Sequence, residues 1–410
     1  MRFCLVTTFY PPQSFGGDAV FVHRLANALA GRGHRVDVIH NIDAYALLAD
    51  QGPLEPVPSH PNVAVYAVSN RARNRLAMIA SHQLGRPTLH SRWLRRLIER
   101  SDCDVIHFHN VSLLGGPGIF RLGKALKLCT LHDYWSVCAM HVLWRLDREP
   151  CSRRTCVRCV VYGRRPLQGW RWTRTLARAA RHVDAFVAPS HFSCRIHEAH
   201  GFPAPIRRLA HSVPDCAPAS APGVPIAPVH PRPYFLYVGR LEKLKGVQVL
   251  LRAFRSLTSV DLLVAGSGSY EQQLRTQAQG MPHVHFLGWL NQQRLNVILR
   301  EAIALVVPSL CYETFGQVAI EAFATHTPVV VHDIGALPEV LAGGGGVLYR
   351  DEGELRASLE RLSSSPQLRH TMGEQGHQSY LAHYTMEQHL REYFALIEEL
   401  QARREARRRS

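Results

Sequence analysis

The sequence predicts an α/β protein made of two doubly wound domains, each built on a parallel sheet with helices on both faces. Three observations carry this prediction. Short apolar runs typical of buried strands alternate with helical patterns through both halves of the chain. The segment 214–233 interrupts the alternation with seven prolines, which neither a helix interior nor a central strand accommodates. The length of 410 residues suits two domains, since single domains usually hold about 100–200 residues.

The first half opens with an apolar run at 3–6, followed by a loop that contains proline and glycine. A helix is predicted over about 19–30, because Val22, Leu25 and Leu29 recur at helical spacing. Further strands are predicted at 35–39, 104–108, 126–130 and 185–188.

After the proline-rich segment the alternation restarts, with strands predicted at 234–238, 261–265, 283–287, 304–307 and 328–331. The predicted parts of the chain are an N-terminal Rossmann-like domain over 1–212, a proline-rich linker over 213–233, a C-terminal domain over 234–380, and a final helix over 381–410 that packs on the N-terminal domain and ends in a basic tail. We expect the two domains to face a central cleft. Ligands of open α/β sheets bind at the carboxyl ends of the strands, so the loops that follow strands are where a site should be sought.

The positive charge of the chain is concentrated in its first half. The net charge is +16; residues 1–210 hold 29 Lys and Arg against 13 Asp and Glu, whereas residues 211–410 hold 19 of each. Such a field attracts anionic partners, which include acidic lipid, nucleic acid and phosphorylated substrates. The alternative is an arginine-rich surface that only keeps the protein solvated.

Composition and apolar runs restrict the class of protein. The chain is 46% hydrophobic and 20% charged, which excludes a disordered chain. No apolar run reaches the ~18 residues that a bilayer requires, and the first run turns polar at Thr7, too early for a signal peptide. We therefore expect a cytoplasmic location, peripheral at the inner membrane face if the basic half meets lipid.

The stretch 308–322 carries the clearest indication of a ligand site. After a buried strand, a loop carries Glu313 and a helix opens at Phe315-Gly316-Gln317. Backbone N–H groups at a helix start bind phosphate oxygens, and a glycine lets a ligand approach the backbone closely. Glu321 lies further along the helix, where a carboxylate can accept hydrogen bonds from sugar hydroxyls. The alternative is an acidic loop residue that favours the helix dipole, with Glu321 on the surface.

Two further loops follow predicted strands of the second half. Arg240 and Lys245 stand in the loop 239–246, and two such cations suit a diphosphate leaving group because they neutralise the charge that grows on it. Basic loop residues are also commonly no more than solvated. Gly266, in Ala265-Gly266-Ser267-Gly268, is a weaker signal of a phosphate-binding loop.

The first half holds two weaker signals. Gly16 and Gly17 precede the first predicted helix and permit an anion at its N-terminus, although a plain strand–helix turn has the same pattern. His132 follows the predicted strand 126–130 and would face the cleft, with Asp133 beside it. A lone histidine also often has a purely structural role.

Together these motifs resemble the GT-B glycosyltransferases of family GT4 over nearly the whole chain. The resemblance implies the GT-B fold and a retaining transferase that moves a sugar from a nucleotide-diphosphate sugar, UDP- or GDP-linked. The implied acceptor is a glycan or a lipid-linked molecule in the synthesis of cell-surface polysaccharide or glycoconjugates. The resemblance rests on the N-terminal double glycine, His132-Asp133-Tyr134-Trp135, Pro189-Ser190, the loop from Gly239 to Gly246, and the Glu-x7-Glu pattern of Glu313 and Glu321.

The resemblance also implies roles for the matched residues. The family equivalents of Arg240 and Lys245 bind the donor diphosphate, and no catalytic metal is expected because these two cations take its place. The equivalents of Glu313 and His132 contact the transferred sugar. The equivalent of Glu321 binds ribose hydroxyls, and backbone groups at the start of its helix serve phosphate and sugar.

Four cysteines cluster in an arginine-rich insert over 138–165, with the spacing C-x12-C-x4-C-x2-C. Four thiolates can hold a tetrahedral structural zinc ion, and part of the spacing also fits a [2Fe–2S] cluster. Reduced thiols without a metal are the third interpretation. A similar insert in a subset of bacterial GT4 enzymes favours a structural role. The four residues are Cys138, Cys151, Cys156 and Cys159.

Apolar and aromatic residues among the arginines of the first half have two interpretations. The segment 91–100 places Trp93 and three aliphatic residues on one face and arginines opposite, which is typical of a helix on a membrane surface and also of a core-facing helix with a solvated back. Trp170 and Trp172 are likewise either interfacial anchors or core packing. In GT-B enzymes the N-terminal domain holds the acceptor. A basic N-terminal half therefore favours a lipid-pyrophosphate-linked glycan at an anionic membrane surface, and no nucleic acid.

The competing function is a basic nucleic-acid- or membrane-binding protein on a non-catalytic GT-B scaffold. Such a protein has no need of Arg240, Lys245, Glu313 and Glu321 together, yet all four are present. A phosphorylase of the pyridoxal type would need a cofactor lysine and a longer chain, and the sequence offers no case for it.

Overall fold

A computed structural model of the chain describes residues 1–14, 16–48, 57–68, 74–88, 91–100, 102–215 and 229–409. The chain forms two compact units. The central part of the predicted linker, residues 216–228, lies outside the described residues. The first unit consists of Met1–Val142, Arg154–Leu209 and Leu390–Ser410, and the second of Leu143–Arg153 and Ala210–His389.

The regular elements alternate along most of the chain. The strands are β1 (Arg2–Val6), β2 (Arg35–Asn41), β3 (Val63–Val68), β4 (Val105–Phe108), β5 (Leu126–Thr130), β6 (Trp144–Arg145), β7 (Glu149–Pro150), β8 (Ala185–Ala188), β9 (Ile206–Arg208), β10 (Tyr234–Val238), β11 (Asp261–Ala265), β12 (Val284–Gly288), β13 (Leu305–Val307), β14 (Val329–His332) and β15 (Gly346–Tyr349). The α-helices are α1 (Gly16–Gly31), α2 (Ile42–Leu48), α3 (Asn74–Leu84), α4 (Ser91–Arg100), α5 (Cys156–Tyr162), α6 (Thr175–Ala180), α7 (His191–Ala199), α8 (Val247–Phe254), α9 (Glu271–Gln277), α10 (Gln292–Glu301), α11 (Gln317–Ala324), α12 (Leu337–Val340), α13 (Glu352–Ser364), α14 (Pro366–His383) and α15 (Met386–Arg409).

Each unit is built on one parallel sheet. The strand order of the first sheet is β3-β2-β1-β4-β5-β8-β9, and that of the second is β12-β11-β10-β13-β14-β15. Both orders run outward in opposite directions from one central pair, β1 with β4 and β10 with β13. This is the arrangement of doubly wound Rossmann-like domains, in which ligands bind beyond the carboxyl ends of the central strands. The predicted fold class is confirmed.

The core of the second unit shows why its sheet is covered on both faces. Successive side chains of a strand point to opposite faces of the sheet. Tyr234 and Leu236 of β10 belong to one apolar cluster, while Phe235 and Tyr237 belong to the other, and each of the four is at most 2% exposed. An apolar residue at every position of a strand therefore requires helices on both sides.

Several elements differ from the predicted ones at their ends. The helix α1 begins at Gly16 rather than near residue 19. It ends at Gly31, and Gly33 then takes a φ of +83° as the chain turns back towards β2. The sheet-edge strands β3, β9 and β15 and the short pair β6 and β7 were not predicted, although Val63–Val68 is an unbroken apolar run.

The boundaries of the two units also differ from the predicted domains. The predicted N-terminal domain runs unbroken over 1–212, whereas Leu143–Arg153, with the antiparallel pair β6 and β7, belongs to the second unit. Within that unit, Lys243 Nζ donates to the carbonyl of Asp147 at 3.1 Å. The predicted final helix over 381–410 is divided, since α14 ends at His383 and α15 begins at Met386.

The last part of α15, from Leu390, belongs to the first unit. Tyr393 packs on Phe3 of β1, and its hydroxyl lies 3.1 Å from Nδ1 of His107 on β4. Further along, Arg404 pairs with both carboxylate oxygens of Asp184, at 2.9 and 2.8 Å. These contacts anchor the helix to the strands of the first sheet.

The arginine-rich helix α4 faces the core of the first unit. Leu94 and Ile98 are buried in the apolar cluster beneath the sheet, and Trp93 is 37% exposed. Of the two interpretations of this segment, the core-facing one describes the structure. Within the described part of the chain, no helix combines the length and the apolar character needed to cross a bilayer.

Candidate functional site

The loops that follow β10 and β13 meet at the point where the strand order of the second sheet reverses. The backbone N–H of Leu310 donates to the carbonyl of Leu244 at 2.9 Å. Gly246 takes a φ of +79°, and a Cβ atom there would lie 1.8 Å from the carbonyl oxygen of Pro308. Only glycine fits, because a side chain would collide with rigid backbone. The two predicted loops are therefore held side by side.

A third loop, after β11, is interlocked with the first. The N–H of Gly239 donates to the carbonyl of Ala265 at 3.1 Å, and that of Leu241 donates to the carbonyl of Ser267 at 2.9 Å. At Gly266, with a φ of +134°, a Cβ atom would lie 1.9 Å from the carbonyl oxygen of Gly239. The N–H of Gly266 itself donates to Gly288 at 2.7 Å. In this structure Gly266 therefore allows the loops to approach each other, and its own N–H is already engaged.

Lys245 and Glu313 form an ion pair at the centre of these loops. Lys245 Nζ lies 2.7 Å from Glu313 Oε1, and the hydroxyl of Ser309 donates to the same oxygen at 2.5 Å. Both side chains of the pair are largely buried, with 20% and 18% of their surface exposed. A long lysine side chain is thus held in one position beside a carboxylate in a partly dehydrated site.

The pair is ionised at neutral pH. Burial alone would raise the pKa of Glu313, but the Lys245 ammonium and the hydrogen bonds from Lys245 and Ser309 outweigh it and hold that pKa below its ordinary value. Burial would lower the pKa of Lys245, and the Glu313 carboxylate instead holds it above its ordinary value. Each charge therefore keeps the other ionised.

Arg240 stands at the edge of this site. Its guanidinium lies 2.6 Å from Glu242 Oε1, and its carbonyl accepts a hydrogen bond from the hydroxyl of Tyr237 at 2.9 Å. The side chain of Arg240 is 56% exposed. Exposed ion pairs contribute little to stability, so the guanidinium can leave Glu242 at small cost to bind an anion.

The helix α11 begins beside the ion pair. Gly316 is its N-cap with a φ of +85°, and no side chain caps the first turn. The first N–H groups of a helix have no partner within it, so this turn offers donors for an anion. Phe315 is buried in the core, which fixes the entry of the chain into the helix.

Glu321 is 7% exposed on α11, contrary to the surface position of the alternative interpretation. Nε2 of Gln317, one turn earlier, donates to Glu321 Oε1 at 3.0 Å. Of the eight residues predicted for the second half, five lie around one helix start and two loops: Lys245, Glu313, Gly316, Gln317 and Glu321. Arg240 stands at the edge of the site, Phe315 is buried in the core, and Gly266 packs against the loop that follows β10.

In the first unit, a cluster of polar residues lies at the carboxyl ends of β1, β4 and β5. His132 Nε2 lies 2.9 Å from Nδ1 of His109, and its ring packs on Phe21 with the ring centres 5.7 Å apart. Burial lowers the pKa of His132 to about 4, against a smaller opposite effect of Asp133. His132 is therefore a neutral imidazole at physiological pH.

The start of α1 contributes an acidic residue to the same end of the first sheet. Gly16 takes a φ of +72° and Gly17 follows it at the exposed start of the helix. In the first turn, Asp18 Oδ2 lies 3.4 Å from the side-chain nitrogen of Asn110. Burial, with a contribution from Asp133, raises the pKa of Asp18 to about 6.

Sequence reasoning missed Asp18, His109 and Asn110 in the first unit and Ser309 in the second. A signal existed for the first unit, because His109-Asn110 directly follows the predicted strand 104–108. Polar residues directly after a buried strand lie at the carboxyl end of the sheet, as His132 does. For Ser309 nothing in the sequence predicts that its hydroxyl turns towards Glu313.

Within the described part of the chain, the clustered cysteines do not bring three ligand atoms within 4.8 Å of one another. Cys138, Cys156 and Cys159 belong to the first unit and Cys151 to the second. Among the described residues, the one group of three or more ligand atoms within 4.8 Å of one another is formed by other residues of the second unit, considered below. The structural zinc at the four cysteines stays a prediction.

Comparison with known proteins shows the family. A model of Glycosyltransferase Family 4 matches residues 15–215, and a model of Glycosyl transferases group 1 matches residues 226–379. The D-inositol 3-phosphate glycosyltransferase of Arthrobacter sp. strain FB24 is 30% identical over 382 residues, which cover 87% of this chain and 84% of that protein. The glycogen synthase of Mycobacterium tuberculosis strain H37Rv is 28% identical over 401 residues, 89% of this chain and 87% of that protein.

Solved structures share the fold. Sucrose-phosphate synthase from Thermosynechococcus elongatus superposes with a TM-score of 0.72 at 19% identity, covering 98% of this chain and 99% of that one. Anabaena Alr3699/HepE in complex with UDP superposes with a TM-score of 0.67 at 16% identity, covering 97% of this chain and all 100% of that one. With two Rossmann-like units, matching family models over most of its length and relatives aligned across both halves, the chain belongs to the GT4 family of glycosyltransferases.

Proposed function

We propose that this chain is a retaining transferase that takes a sugar from a nucleotide-diphosphate sugar, UDP- or GDP-linked, and moves it to a glycan or lipid-pyrophosphate-linked acceptor. The product would belong to cell-surface polysaccharide or glycoconjugate synthesis. The observation that carries the donor part is the Lys245–Glu313 pair, held 2.7 Å apart beside the uncapped start of α11. Solved structures of the related Anabaena protein contain UDP and UDP-glucose, which supports a nucleotide-sugar donor.

The proposed chemistry assigns the leaving group to Lys245 and Arg240. As the bond between the sugar and the diphosphate breaks, negative charge grows on the departing phosphate oxygen. A fixed ammonium and a guanidinium in a partly dehydrated site stabilise that charge, and backbone N–H groups at Gly316 and Gln317 add hydrogen bonds. Two cations supply the positive charge that a divalent metal would otherwise bring, so we expect transfer without an added metal.

The two carboxylates are proposed to bind hydroxyl groups. Glu321, oriented by Gln317, would accept hydrogen bonds from the ribose, and Glu313 would contact the transferred sugar. Because Glu313 stays ionised through its contact with Lys245, it accepts hydrogen bonds and does not donate them. On the first unit, the neutral His132 would contact the same sugar.

The test is to measure donor binding by calorimetry and by the shift in melting temperature. A panel of UDP-, GDP- and ADP-sugars is used in the presence of EDTA. We expect one or more UDP- or GDP-sugars to bind, and Lys245→Ala to abolish binding. Lys243→Ala is the matched control, because this lysine stands on the same turn and instead contacts Asp147. If no nucleotide diphosphate raises the melting temperature, the donor proposal is wrong and the competing non-catalytic function gains.

Retention is tested on the product. Proton NMR of the transfer product gives the anomeric configuration of the new glycosidic bond, which is fixed once the bond has formed. The proposal expects the configuration of the donor sugar, and the opposite anomer would refute it.

The proposed membrane partner is supported by exposed apolar residues in the insert and in the residues that follow it, over 157–172, which we call the insert surface. Trp170 is buried and donates to the carbonyl of His82, so it is core packing, whereas Trp172 is 58% exposed. Exposed arginines stand in the same stretch of the sequence or just before it, at 154, 158, 164 and 165. The apolar residues of the insert surface are Val157, Val161, Tyr162, Leu167 and Trp172, each between 44% and 66% exposed.

Aromatic and aliphatic side chains interleaved with arginines match the headgroup region of an anionic bilayer. Flotation with phosphatidylglycerol vesicles and with phosphatidylcholine vesicles tests this at low salt. We expect the native protein to bind the anionic vesicles only. The double variant Val161→Ser with Trp172→Ser should bind these vesicles more weakly. Trp289→Ser is the matched control, since this tryptophan is 77% exposed and lies in the second unit. Equal binding of both variants would refute the insert surface as the contact.

A further inference from the structure

Two histidines and an aspartate converge at the end of the second sheet opposite the proposed donor site. Asp261 is the first residue of β11, His285 lies on the edge strand β12, and His230 precedes β10. Nε2 of His230 lies 2.6 Å and Nε2 of His285 3.0 Å from the same oxygen, Oδ2 of Asp261. This is the group of three candidate ligands noted above. From this convergence we propose that His230, Asp261 and His285 bind a divalent transition-metal cation of the Zn²⁺ class.

The carboxylate is in an unusual position for an unliganded group. Asp261 is 2% exposed, and the rest of β11 is buried and apolar. A buried carboxylate is costly unless positive charge and hydrogen bonds compensate it. The Arg232 guanidinium faces Oδ1, and the two imidazole nitrogens converge on Oδ2, so a cation held between these nitrogens and Oδ2 would add compensating charge.

The second carboxylate oxygen is buried and faces an arginine. Arg232 Nη1 lies 2.9 Å from Asp261 Oδ1, which is close enough for an ion pair. The guanidinium is not aligned for a hydrogen bond to Oδ1, and no other group of the described residues donates one to this oxygen. When a carboxylate binds a metal through one oxygen, its other oxygen commonly accepts a hydrogen bond from a residue that does not itself contact the metal. Arg232 occupies that outer position. Its charge opposes a cation only in part, because its side chain is 47% exposed and screened by water.

The donor set fits the chemistry of the ion. Two imidazole nitrogens and one carboxylate oxygen are typical ligands of Zn²⁺ and of Co²⁺ and Ni²⁺, with water at the remaining position. Ligand distances of about 2.0–2.2 Å around a tetrahedral ion separate neighbouring ligand atoms by about 3.3 Å. The present separations of 2.6 and 3.0 Å would need to open by only a few tenths of an ångström, and at most about 0.7 Å. The side chain of His285 is 37% exposed, which gives an ion a way in.

Metal binding would tie the chain that enters the second sheet to two of its strands. His230 lies just after residues 216–228, so the ion would join the start of β10 to β11 and β12. A ligand that binds only the folded state raises the melting temperature. The site is far along the sheet from Lys245 and Glu313, and its proposed effect is on stability rather than on transfer.

The test uses the full chain without a histidine tag, stripped of metal with EDTA. Co²⁺ is the spectroscopic probe, and Zn²⁺ is used for melting temperature. We expect visible d–d bands of Co²⁺ bound through nitrogen and oxygen, saturating at one equivalent, and a melting temperature that rises with Zn²⁺. His285→Gln should weaken the binding by about 100-fold. His370→Gln is the matched control, because this histidine is exposed and lies in the same unit outside the group.

The four cysteines are distinguished by their own signal, since cobalt bound to thiolate gives an intense near-ultraviolet charge-transfer band. His285→Gln is expected to fold, because its side chain lies on an edge strand and is partly exposed, and circular dichroism in EDTA checks this. Loss of the d–d bands and of the Zn²⁺-dependent shift in His285→Gln alone supports the proposal. Binding that is absent, or unchanged in His285→Gln, or accompanied only by the thiolate band, overturns it.

Discussion

Replacement of Lys245 by alanine is the sharpest test of the site in the second unit. The variant removes the ammonium 2.7 Å from Glu313 and leaves that carboxylate with the Ser309 hydroxyl as its remaining close donor among the contacts described above. Breaking a buried pair by removing one partner costs about 3–5 kcal/mol, and surface pairs cost about 0–1 kcal/mol. With about a fifth of each side chain exposed, we expect an intermediate loss of about 1–3 kcal/mol in the free energy of unfolding.

The loss should depend on pH in a defined way. In the native protein the pKa of Glu313 lies below its ordinary 4.5, so its ion pair contributes stability above pH 4.5 that is lost as pH falls through the folded pKa. The pKa of Lys245 lies above its ordinary 10.5, so its contribution is present below pH 10.5 and is lost as pH rises through the folded pKa. In Lys245→Ala, burial is no longer outweighed and raises the pKa of Glu313. The difference between the two proteins should therefore be constant near neutral pH and shrink in acid.

Urea unfolding of native protein, Lys245→Ala and Lys243→Ala between pH 4 and pH 8 measures this difference. Transfer activity should fall by about 10²–10³ in kcat for Lys245→Ala, the effect of removing one group that stabilises developing charge. The Lys243 variant should keep both its stability and its activity. A stability difference that is the same at every pH, or equal losses in the two lysine variants, would refute the reasoning.

Three further predictions concern single residues. Gly246→Ala should lower the free energy of unfolding by well over the ~1–2 kcal/mol that an alanine in the left-handed region costs, because its Cβ atom would collide with the Pro308 carbonyl. Gly280→Ala is the control, because Gly280 has the same φ of +79° with open space around it, and it should cost only the backbone strain. Equal melting temperatures of the two variants would contradict this. Glu321→Gln should weaken binding of the intact nucleotide sugar by about tenfold or more, but it should leave binding of the 2′,3′-dideoxyribose analogue unchanged. Calorimetry that shows the same loss of affinity for both donors would exclude the ribose contact. Asp18→Asn should stabilise the protein at pH 7. The folded pKa of Asp18 is about 6 against an ordinary 3.8, so the stability of the native protein falls as pH rises through this range, and the variant avoids that loss. If thermal unfolding shows that the variant gains no more stability over the native protein at pH 7 than at pH 4, the prediction is wrong.

The doubly wound fold was predictable because its signal is local. A strand buried on both faces is apolar at every position, as in Phe235 to Tyr237, and such runs are readable without any knowledge of their neighbours. The strand order was not readable, yet it decides where the loops meet. Arg240 and Glu313 stand far apart in the sequence, and only the pairing of β10 with β13 shows that their loops are adjacent.

Other features of the candidate sites depend on the direction in which each side chain points, and the sequence does not contain that direction. Lys245 was selected from the sequence, but its contact was not predicted: Lys245 turns to Glu313, whereas Lys243, two positions earlier in the same loop, turns to Asp147. Trp170 and Trp172 were equally open to two interpretations, and the structure separates them into a buried and an exposed residue. The His230–Asp261–His285 group was invisible for a further reason, because its members come from three elements with no common spacing.

The return of α15 to the first unit has a consequence for synthesis on the ribosome. Phe3 and His107 belong to strands that are made before the second unit, but Tyr393, which packs on both, is made after it. At about 5–20 residues per second, the intervening second unit takes roughly 10–40 s to translate. During that time Phe3 and His107 lack the ring that packs on them in the folded protein, so this part of the first unit can be completed only after α15 has been made.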